Sequence, residues 1–309
     1  MDSRSEPTAG RRVLLTGARG FTGAYVKAEL EQAGYRVVGV VVCDVAAGEV
    51  QCDLTDAAAC RALVEDVRPD YVVHLAAISF VAHADAAEFY RVNVLGTVNL
   101  LQALVDAGLA PRRVLVASSA NVYGNAGGVL SETQAPQPVN HYAASKLAME
   151  HMAATLSDRL PIVVTRPFNY TGVGQEERFL VPKIVSHFAR RASVIELGNL
   201  DVERDFSDVR DVARIYRRLL EADAAAVAGQ TVNVCSGRGH TLRSVIAMMQ
   251  EIAGYDIDVK VNQAFVRMSE VKTLIGSTLR LSGLIGEQSS ISLSQTLQWM
   301  HGAYEKGMV

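Results

Sequence analysis

The sequence predicts an α/β fold, a doubly wound parallel sheet that carries a smaller α/β lobe. Two observations predict it. From Arg12 onward the chain alternates short β-branched runs with longer helical stretches, the rhythm of crossovers in a parallel sheet. Each expected strand is a nearly continuous apolar run rather than an alternating one, as a sheet covered by helices on both faces requires. At 309 residues, with 49% hydrophobic and 20% charged, the chain can bury a core of the necessary size.

Strands are expected at residues 13–16, 36–42, 71–75, 113–117 and 162–165, separated by helices at 24–33, 57–67, 87–107 and 143–159. After Arg166 the regularity falls. RPFNYTGVGQ is rich in Gly, Asn and Pro, a helix follows near 180–191, and GNLDVERDFSD reads as a loop. A helix near 209–221 and a strand at 231–234 bring the chain back to the main sheet. Residues 11–165 with about 207–234 are thus expected in the sheet domain, and about 166–206 with 235–309 in the lobe. In doubly wound sheets ligands lie beyond the carboxyl ends of the strands, so a lobe at that edge would cover a small substrate. Residues 1–10 lack an apolar stretch and read as a disordered tail rather than a signal or transit peptide.

Thirty Lys and Arg face 33 Asp and Glu, a formal charge of -3, with no run of five or six like charges. That balance argues against an extended nucleic-acid or membrane-surface face. No segment approaches the roughly 18 apolar residues of a membrane span. Cys43, Cys52, Cys60 and Cys235 have no metal-ligand or disulfide-framework spacing, so no metal is expected and the thiols read as free, in a cytoplasmic protein.

Directly after the first strand comes Thr16-Gly17-Ala18-Arg19-Gly20-Phe21-Thr22-Gly23, and a helix follows. A Gly-rich turn entering a helix lets a pyrophosphate approach backbone N–H groups and the positive end of the helix dipole. Strand, turn and helix stand in the order such a motif needs. Gly17, Arg19, Gly20, Phe21, Thr22 and Gly23 are therefore candidate contacts for a dinucleotide. Asp44, after the second strand, is the acid available to an adenosine ribose, whereas Arg19 suits a 2′-phosphate, so NAD and NADP both stay open.

Tyr142 and Lys146 open a later helix. Their separation of four residues puts phenol and ammonium on one face, about 6 Å apart along the axis. A cation there stabilises the phenolate and lowers the tyrosine pKa from its ordinary value of about 10. The pair gains weight from its position, behind the glycine turn and a strand ending in Ser118-Ser119-Ala120-Asn121-Val122-Tyr123-Gly124.

Together the G-x-x-G-x-x-G spacing, the serine segment and the Y-x-x-x-K pair resemble the extended short-chain dehydrogenase/reductase superfamily, with its Rossmann core. The resemblance makes the sheet domain a dinucleotide-binding domain for NAD(P)H and the lobe a sugar-nucleotide site. It matches Asp53 and Leu54 of CDLTD to adenine contacts, and Leu75, Ala76 and Ala77 of HLAA to the strand end against the cofactor. Asn93 is matched to a structural Asn, and Arg166 to a cofactor-side position. Ser119 matches the residue that hydrogen-bonds the reacting oxygen, with Ser118 as the alternative. Ser119, Tyr142 and Lys146 then form the triad that moves a proton while nicotinamide moves a hydride. Asn121 stands where related dehydratases carry Glu and epimerase/reductases carry Cys. An amide cannot cycle a proton near pH 7, which leaves 4-keto reduction or 4-epimerisation.

Four later segments, RPFN with GQ, GNLDVERDF, NVCSG and SEVKTLIG, resemble the GDP-mannose-derived branch, and within it the 4-keto reductases that form GDP-rhamnose. The implied substrate contacts are Ser79, Ser119, Asn121, Asn169, Arg204, Arg267 and Glu270, the arginines suited to a diphosphate and Glu270 to ribose hydroxyls. His83, His141 and Tyr170 are further candidates. The chain departs from the branch at Met268 and His141, each in place of a Pro, and at LSGLIGEQSS, in place of a T-G-W-K-P turn. Subunits of the superfamily pair through helices flanking the active site, which implies a homodimer through residues 92–105 and 143–155. Two other readings share the fold: a 4-epimerase that retains NAD, and an NAD(P)-sensing protein without turnover, against which the intact Tyr142–Lys146 pair weighs.

Overall fold

The computed structural model describes residues 10–79, 85–265 and 271–307. The expected disordered tail lies outside the described residues except for Gly10. The chain begins with β1 (Arg12–Thr16), α1 (Phe21–Gln32), β2 (Arg36–Val41), β3 (Glu49–Gln51), α2 (Ala57–Val67) and β4 (Tyr71–His74). Next come α3 (Ala86–Tyr90), a π turn (Arg91–Leu95), α4 (Gly96–Asp106), β5 (Arg113–Ala117), β6 (Gly128–Leu130), α5 (His141–Ala154) and β7 (Ile162–Pro167). Then follow β8 (Asn169–Thr171), α6 (Leu180–Ala189), β9 (Val194–Leu197), β10 (Glu203–Asp208), α7 (Val209–Glu221), α8 (Ala224–Val227) and β11 (Thr231–Val234). The chain ends with β12 (Gly239–Thr241), α9 (Leu242–Ala253), β13 (Asp258–Val261), β14 (Thr273–Gly276), α10 (Leu279–Ile285) and α11 (Leu293–Glu305).

Seven strands form the main sheet in the order β11-β7-β5-β4-β1-β2-β3. The ladders are parallel, with Thr16 opposite His74 and Leu15 opposite Gly39. The strand order reverses between β1 and β4, the crevice where open α/β sheets bind ligands. Val13, Leu14, Leu15, Val72, Val73, Val114, Leu115 and Val116 are fully buried, which is why these strands read as continuous apolar runs. α2, α4 and α5 supply Leu63, Val64, Leu100, Leu104, Met149 and Ala153 to the same core.

Three helices differ from expectation. α1 starts at Phe21 rather than at 24, because Gly20 is the last extended residue (φ -68, ψ 163). α5 starts at His141, where the Asn140 side chain caps it by accepting from the Ala143 N–H (2.8 Å), and it ends at Ala154 rather than 159. The single helix expected at 87–107 is interrupted by the π turn.

The chain divides into two compact units. One comprises the described residues up to Val122 with Pro138–Arg166 and Ala213–Val232; the other comprises Tyr123–Gln137, Pro167–Val212 and the chain from Asn233. The expected boundaries are corrected in two places. Tyr123–Gln137 belongs to the second unit, because β6 pairs with β14 and Asn233 gathers the segment. The Tyr123 hydroxyl donates to Asn233 Oδ1 (2.7 Å), Glu132 accepts from the Asn233 N–H (2.8 Å), and Asn233 Nδ2 donates to the Leu130 carbonyl (3.0 Å). Residues 207–212 also belong there, since Asp208 accepts from the Thr296 hydroxyl (2.7 Å) and Asp211 from the Ile291 N–H (2.7 Å).

Where a loop was expected at 198–208, its second half, β10, is a strand. It pairs antiparallel with β12 and parallel with β14 and β8. The core of this unit joins α6, α9 and α11 through Ile184, Val185, Phe188, Val245, Met249 and Leu297. No helix among the described residues is long and apolar enough to cross a membrane.

Candidate active site

The glycine turn closes on the strand order reversal. Gly17 has φ +70 and sits so near β4 that a Cβ would lie 2.8 Å from the Ala76 nitrogen. A Cβ on Gly23 would meet the Gly17 carbonyl oxygen at 2.0 Å, so α1 can pack this tightly only with glycine there. Gly20 is the N-cap of α1 and offers no capping side chain, and Phe21 and Thr22 follow in the first turn. A pyrophosphate fits such a turn: glycines at 17, 20 and 23 leave the backbone approachable at the end of a helix whose dipole favours an anion.

Beneath the turn runs a buried polar chain that the sequence did not reveal. The N–H groups of Leu75 and Ala76 both donate to Thr16 Oγ1 (3.1 Å each), which lies 2.7 Å from His74 Nδ1. His74 Nε2 lies 2.8 Å from Thr97 Oγ1, and Thr97 donates to the Asn93 carbonyl (2.7 Å). Only one proton arrangement satisfies this chain: Thr16 donates to Nδ1 and Nε2–H donates to Thr97, so the imidazole is neutral. Burial, with Lys146 nearby, pushes the His74 pKa down to about 3. Asn93 completes the frame. It accepts from the Ile78 N–H (2.8 Å) and donates to the Ser145 hydroxyl (3.0 Å), which donates to the Tyr142 carbonyl (2.8 Å).

Ser119, Tyr142 and Lys146 are all nine-tenths or more buried in this unit. Lys146 donates to the Ala117 carbonyl at the end of β5 (2.8 Å). Burial lowers its pKa to about 8 against the opposing pull of Glu150, one turn further along α5. Ser119 Oγ accepts from the Asn121 N–H (3.2 Å), leaving its own proton to donate; Asn121 itself is exposed. Ser118 Oγ is buried without a hydrogen-bond partner among the described residues. Arg166, expected beside the cofactor, pairs with Glu150: Nε donates to Oε1 (2.9 Å) and Nη2 to Oε2 (2.6 Å). This buried ion pair lies close to Lys146, and its Glu150, one turn on along the same face of α5, is a further residue of the site beyond those expected from the sequence.

At the adenosine side, Arg19 is paired with Glu49. Asp44 lies beyond the end of β2 with φ +54. Asp53 Oδ1 accepts from the N–H (2.9 Å) and hydroxyl (2.8 Å) of Thr55, which holds its carboxyl below the usual range. Leu54 is buried, its carbonyl accepting from Asn99 Nδ2 (2.9 Å). Leu75 and Ala76 are held by Thr16, and Ala77 and the exposed Ser79 follow. His83 lies outside the described residues. His141 packs edge-on against Tyr90, its Nδ1 3.1 Å from the Tyr90 hydroxyl.

In the second unit, Arg204 lies in β10 rather than in a loop, and its Nη1 donates to the carbonyls of Glu203 (2.9 Å) and Val271 (2.8 Å). Asn169 opens β8 and donates to the Asp205 carbonyl (3.2 Å), with Tyr170 beside it. Arg267, Met268 and Glu270 lie outside the described residues. Asp205, which was not singled out from the sequence, holds three of the segments together. One oxygen accepts from the Ser236 N–H (2.8 Å) and hydroxyl (2.6 Å), the other from the N–H groups of Gly237 (2.9 Å) and Gly276 (3.2 Å). Among the described residues no group of three His, Cys, Asp or Glu could hold a metal ion, and the four cysteines are free thiols.

Known proteins are similar to this chain over most of its length. A GDP-6-deoxy-D-talose 4-dehydrogenase of Aggregatibacter actinomycetemcomitans is 38% identical over 89% of this chain and 91% of its own length. A GDP-6-deoxy-D-mannose reductase of Pseudomonas aeruginosa is 33% identical over 93% and 95%. Among solved structures, a Burkholderia cenocepacia J2315 protein designated an epimerase superposes with a TM-score of 0.91 at 50% identity, covering 97% of this chain and 99% of that one. RMD from Pseudomonas aeruginosa, complexed with NADPH, superposes at 0.85 with 32% identity, covering 96% and 99%. The family model that matches residues 13–235 is described as the NAD dependent epimerase/dehydratase family. With its Rossmann sheet, its glycine turn and its nucleotide-sugar relatives, the chain belongs to that NAD(P)-using family of nucleotide-sugar reductases, dehydrogenases and epimerases.

Proposed function

We propose that the protein reduces the C4 keto group of a nucleotide-linked 4-keto-6-deoxy-hexose with NAD(P)H, the substrate being GDP-4-keto-6-deoxy-D-mannose and the product GDP-D-rhamnose. The observation that carries this reading is the buried Lys146 one turn beyond Tyr142, in the same unit as the glycine turn. The bound nicotinamide supplies the hydride. Tyr142 gives its phenolic proton to the developing alkoxide, and Lys146, protonated below about pH 8, stabilises the phenolate left behind. Ser119, its oxygen already occupied by the Asn121 N–H, donates to the carbonyl oxygen and so favours charge developing there. Asn121 has no proton to cycle, which keeps the chemistry at C4. Gly17, Gly20, Phe21, Thr22 and Gly23 hold the pyrophosphate, and Asn169, Arg204, Arg267 and Glu270 serve the sugar nucleotide. Subunits pair as a homodimer through α4 and α5.

The two relatives named for GDP-6-deoxy-hexoses support the substrate class. The talose name, on the relative with the higher identity, favours a second reading, in which hydride reaches the other face of C4 and gives GDP-6-deoxy-D-talose. The test is NMR analysis of the product after incubation with GDP-4-keto-6-deoxy-D-mannose and reduced cofactor. The C4 configuration decides between the two products. A 4-epimerase would instead copurify with NAD and interconvert sugars with no added reductant, and that result would overturn the proposal.

A further inference from the structure

We propose that Glu49 makes the protein select NADH over NADPH, by holding the Arg19 guanidinium and by presenting a carboxylate where a 2′-phosphate would need that guanidinium. The inference rests on the reading of residues 17–23 as a dinucleotide turn and adds which dinucleotide the turn takes.

Arg19 is committed on every side of its fork. Nε donates to Glu49 Oε1 (3.1 Å) and Nη2 to Glu49 Oε2 (2.5 Å). Nη1 reaches the Cys43 carbonyl (3.5 Å), and Nη2 also donates to the Asp44 carbonyl. Glu49 Oε2 accepts in addition from the Ala46 N–H (3.0 Å), so one carboxylate ties the glycine turn to the loop after β2. The Glu49 side chain is 8% exposed although the Arg19 side chain is 45% exposed. Gly39 makes this reach possible. It stands opposite Glu49 in the β2–β3 ladder, and a Cβ there would lie 2.9 Å from Ala18 Cβ and 3.4 Å from Glu49 Cγ. A bare position on β2 thus lets an acid on β3 lean across to the turn. The pair reinforces its own charges: the Glu49 hydrogen bond raises the Arg19 pKa, and the Arg19 hydrogen bond lowers that of Glu49.

Near the end of the second strand, an acid suits the adenosine 2′-hydroxyl of NAD and an arginine suits the 2′-phosphate of NADP. This chain has both, and the acid holds the arginine. A 2′-hydroxyl brings no charge and can donate to a carboxylate. A 2′-phosphate must part a bidentate pair and then lie near the Glu49 and Asp44 carboxylates, where like charge opposes it.

Calorimetric titration of the full chain with NAD⁺ and with NADP⁺ tests this without turnover. Wild type is expected to bind NAD⁺ at least tenfold more tightly. Glu49→Gln keeps the shape and removes the charge; it should tighten NADP⁺ at least tenfold and change NAD⁺ less than threefold. Arg19→Ala should leave NADP⁺ weak. Equal or tighter NADP⁺ binding by wild type, no gain of NADP⁺ in Glu49→Gln, or a tenfold loss of NADP⁺ in Arg19→Ala would each overturn the proposal. Failure to bind either dinucleotide would overturn it together with the reading of the turn, an outcome distinct from a wrong preference between the two.

Discussion

Each unit buries an ionisable group that, among the described residues, has no charged partner in ion-pair contact, Asp205 in one and Lys146 in the other, and the two are treated in opposite ways. Asp205 in the second unit is fully buried, and each carboxylate oxygen takes two donors. Burial raises its pKa while those four hydrogen bonds hold it down. Lys146 in the first unit carries three N–H donors, and among the described residues one of them meets an acceptor, at Ala117. A saturated charge is a clamp, since every lone pair is already used in joining segments. An undersupplied charge keeps hydrogen-bonding capacity for a ligand, at the cost of a pKa that has fallen close to neutrality.

Exchanging each group separately breaks the comparison most sharply. Lys146→Met is expected to lower kcat roughly a thousandfold, about 4 kcal/mol in the barrier, while leaving the thermal midpoint unchanged or higher, because a poorly satisfied buried cation becomes an apolar side chain of similar length. Steady-state rates and a melting curve on the same preparation check both halves. Asp205→Asn is expected to do the reverse. Placing an amide donor against the N–H groups of Gly237 and Gly276 should cost roughly 3 kcal/mol of stability, read as a lower urea midpoint. The pH dependence of the surviving activity should not move.

The smallest effect sharpens the comparison in the wild type. Lys146 titrates near 8 in the folded chain and near its ordinary 10.5 when unfolded. As pH rises through about 8 the folded ammonium loses its proton, and the reduction rate should fall roughly tenfold between pH 7 and pH 9. Stability should move the other way. Between about pH 8 and 10.5 the unfolded chain binds more protons at this site, so the contribution of Lys146 to stability rises with pH. A rate that stays flat to pH 10 would refute the assignment of the alkaline limb to Lys146.

The first unit was far more legible in the sequence than the second, for a physical reason. Its strands are covered on both faces, so they appear as apolar runs such as those at 13–15 and 114–116. Its turn needs glycine at 17 and 23, where a Cβ has no room, and Tyr142 and Lys146 share a face at a spacing of four. In the second unit β10, ERDFSD, is rich in charged residues and places Asp205 in its interior, so it reads as a loop. Pairing partners far along the chain make it a strand. The same distance hid Glu49, which meets Arg19 thirty residues away, and His74, whose partners lie on β1 and α4. Glu150 left a trace, since it continues the face of Tyr142 and Lys146 by one more turn. Arg166 showed its identity but not its direction, because nothing local says that its fork faces Glu150.

The way the units share the chain also governs how the protein is made. β5 leaves the ribosome with its edge bare, because the next stretch, Tyr123–Gln137, does not pair with it and waits for β14. β7 then covers β5, and the main sheet gains its last strand, β11, only after residue 230. During synthesis an open sheet edge, first β5 and then β7, coexists with an unpartnered β6 from about residue 130 until β11 is made, the kind of exposed template on which nascent chains associate. No single cut releases either unit whole, so neither can be completed before the chain beyond residue 230 has been made.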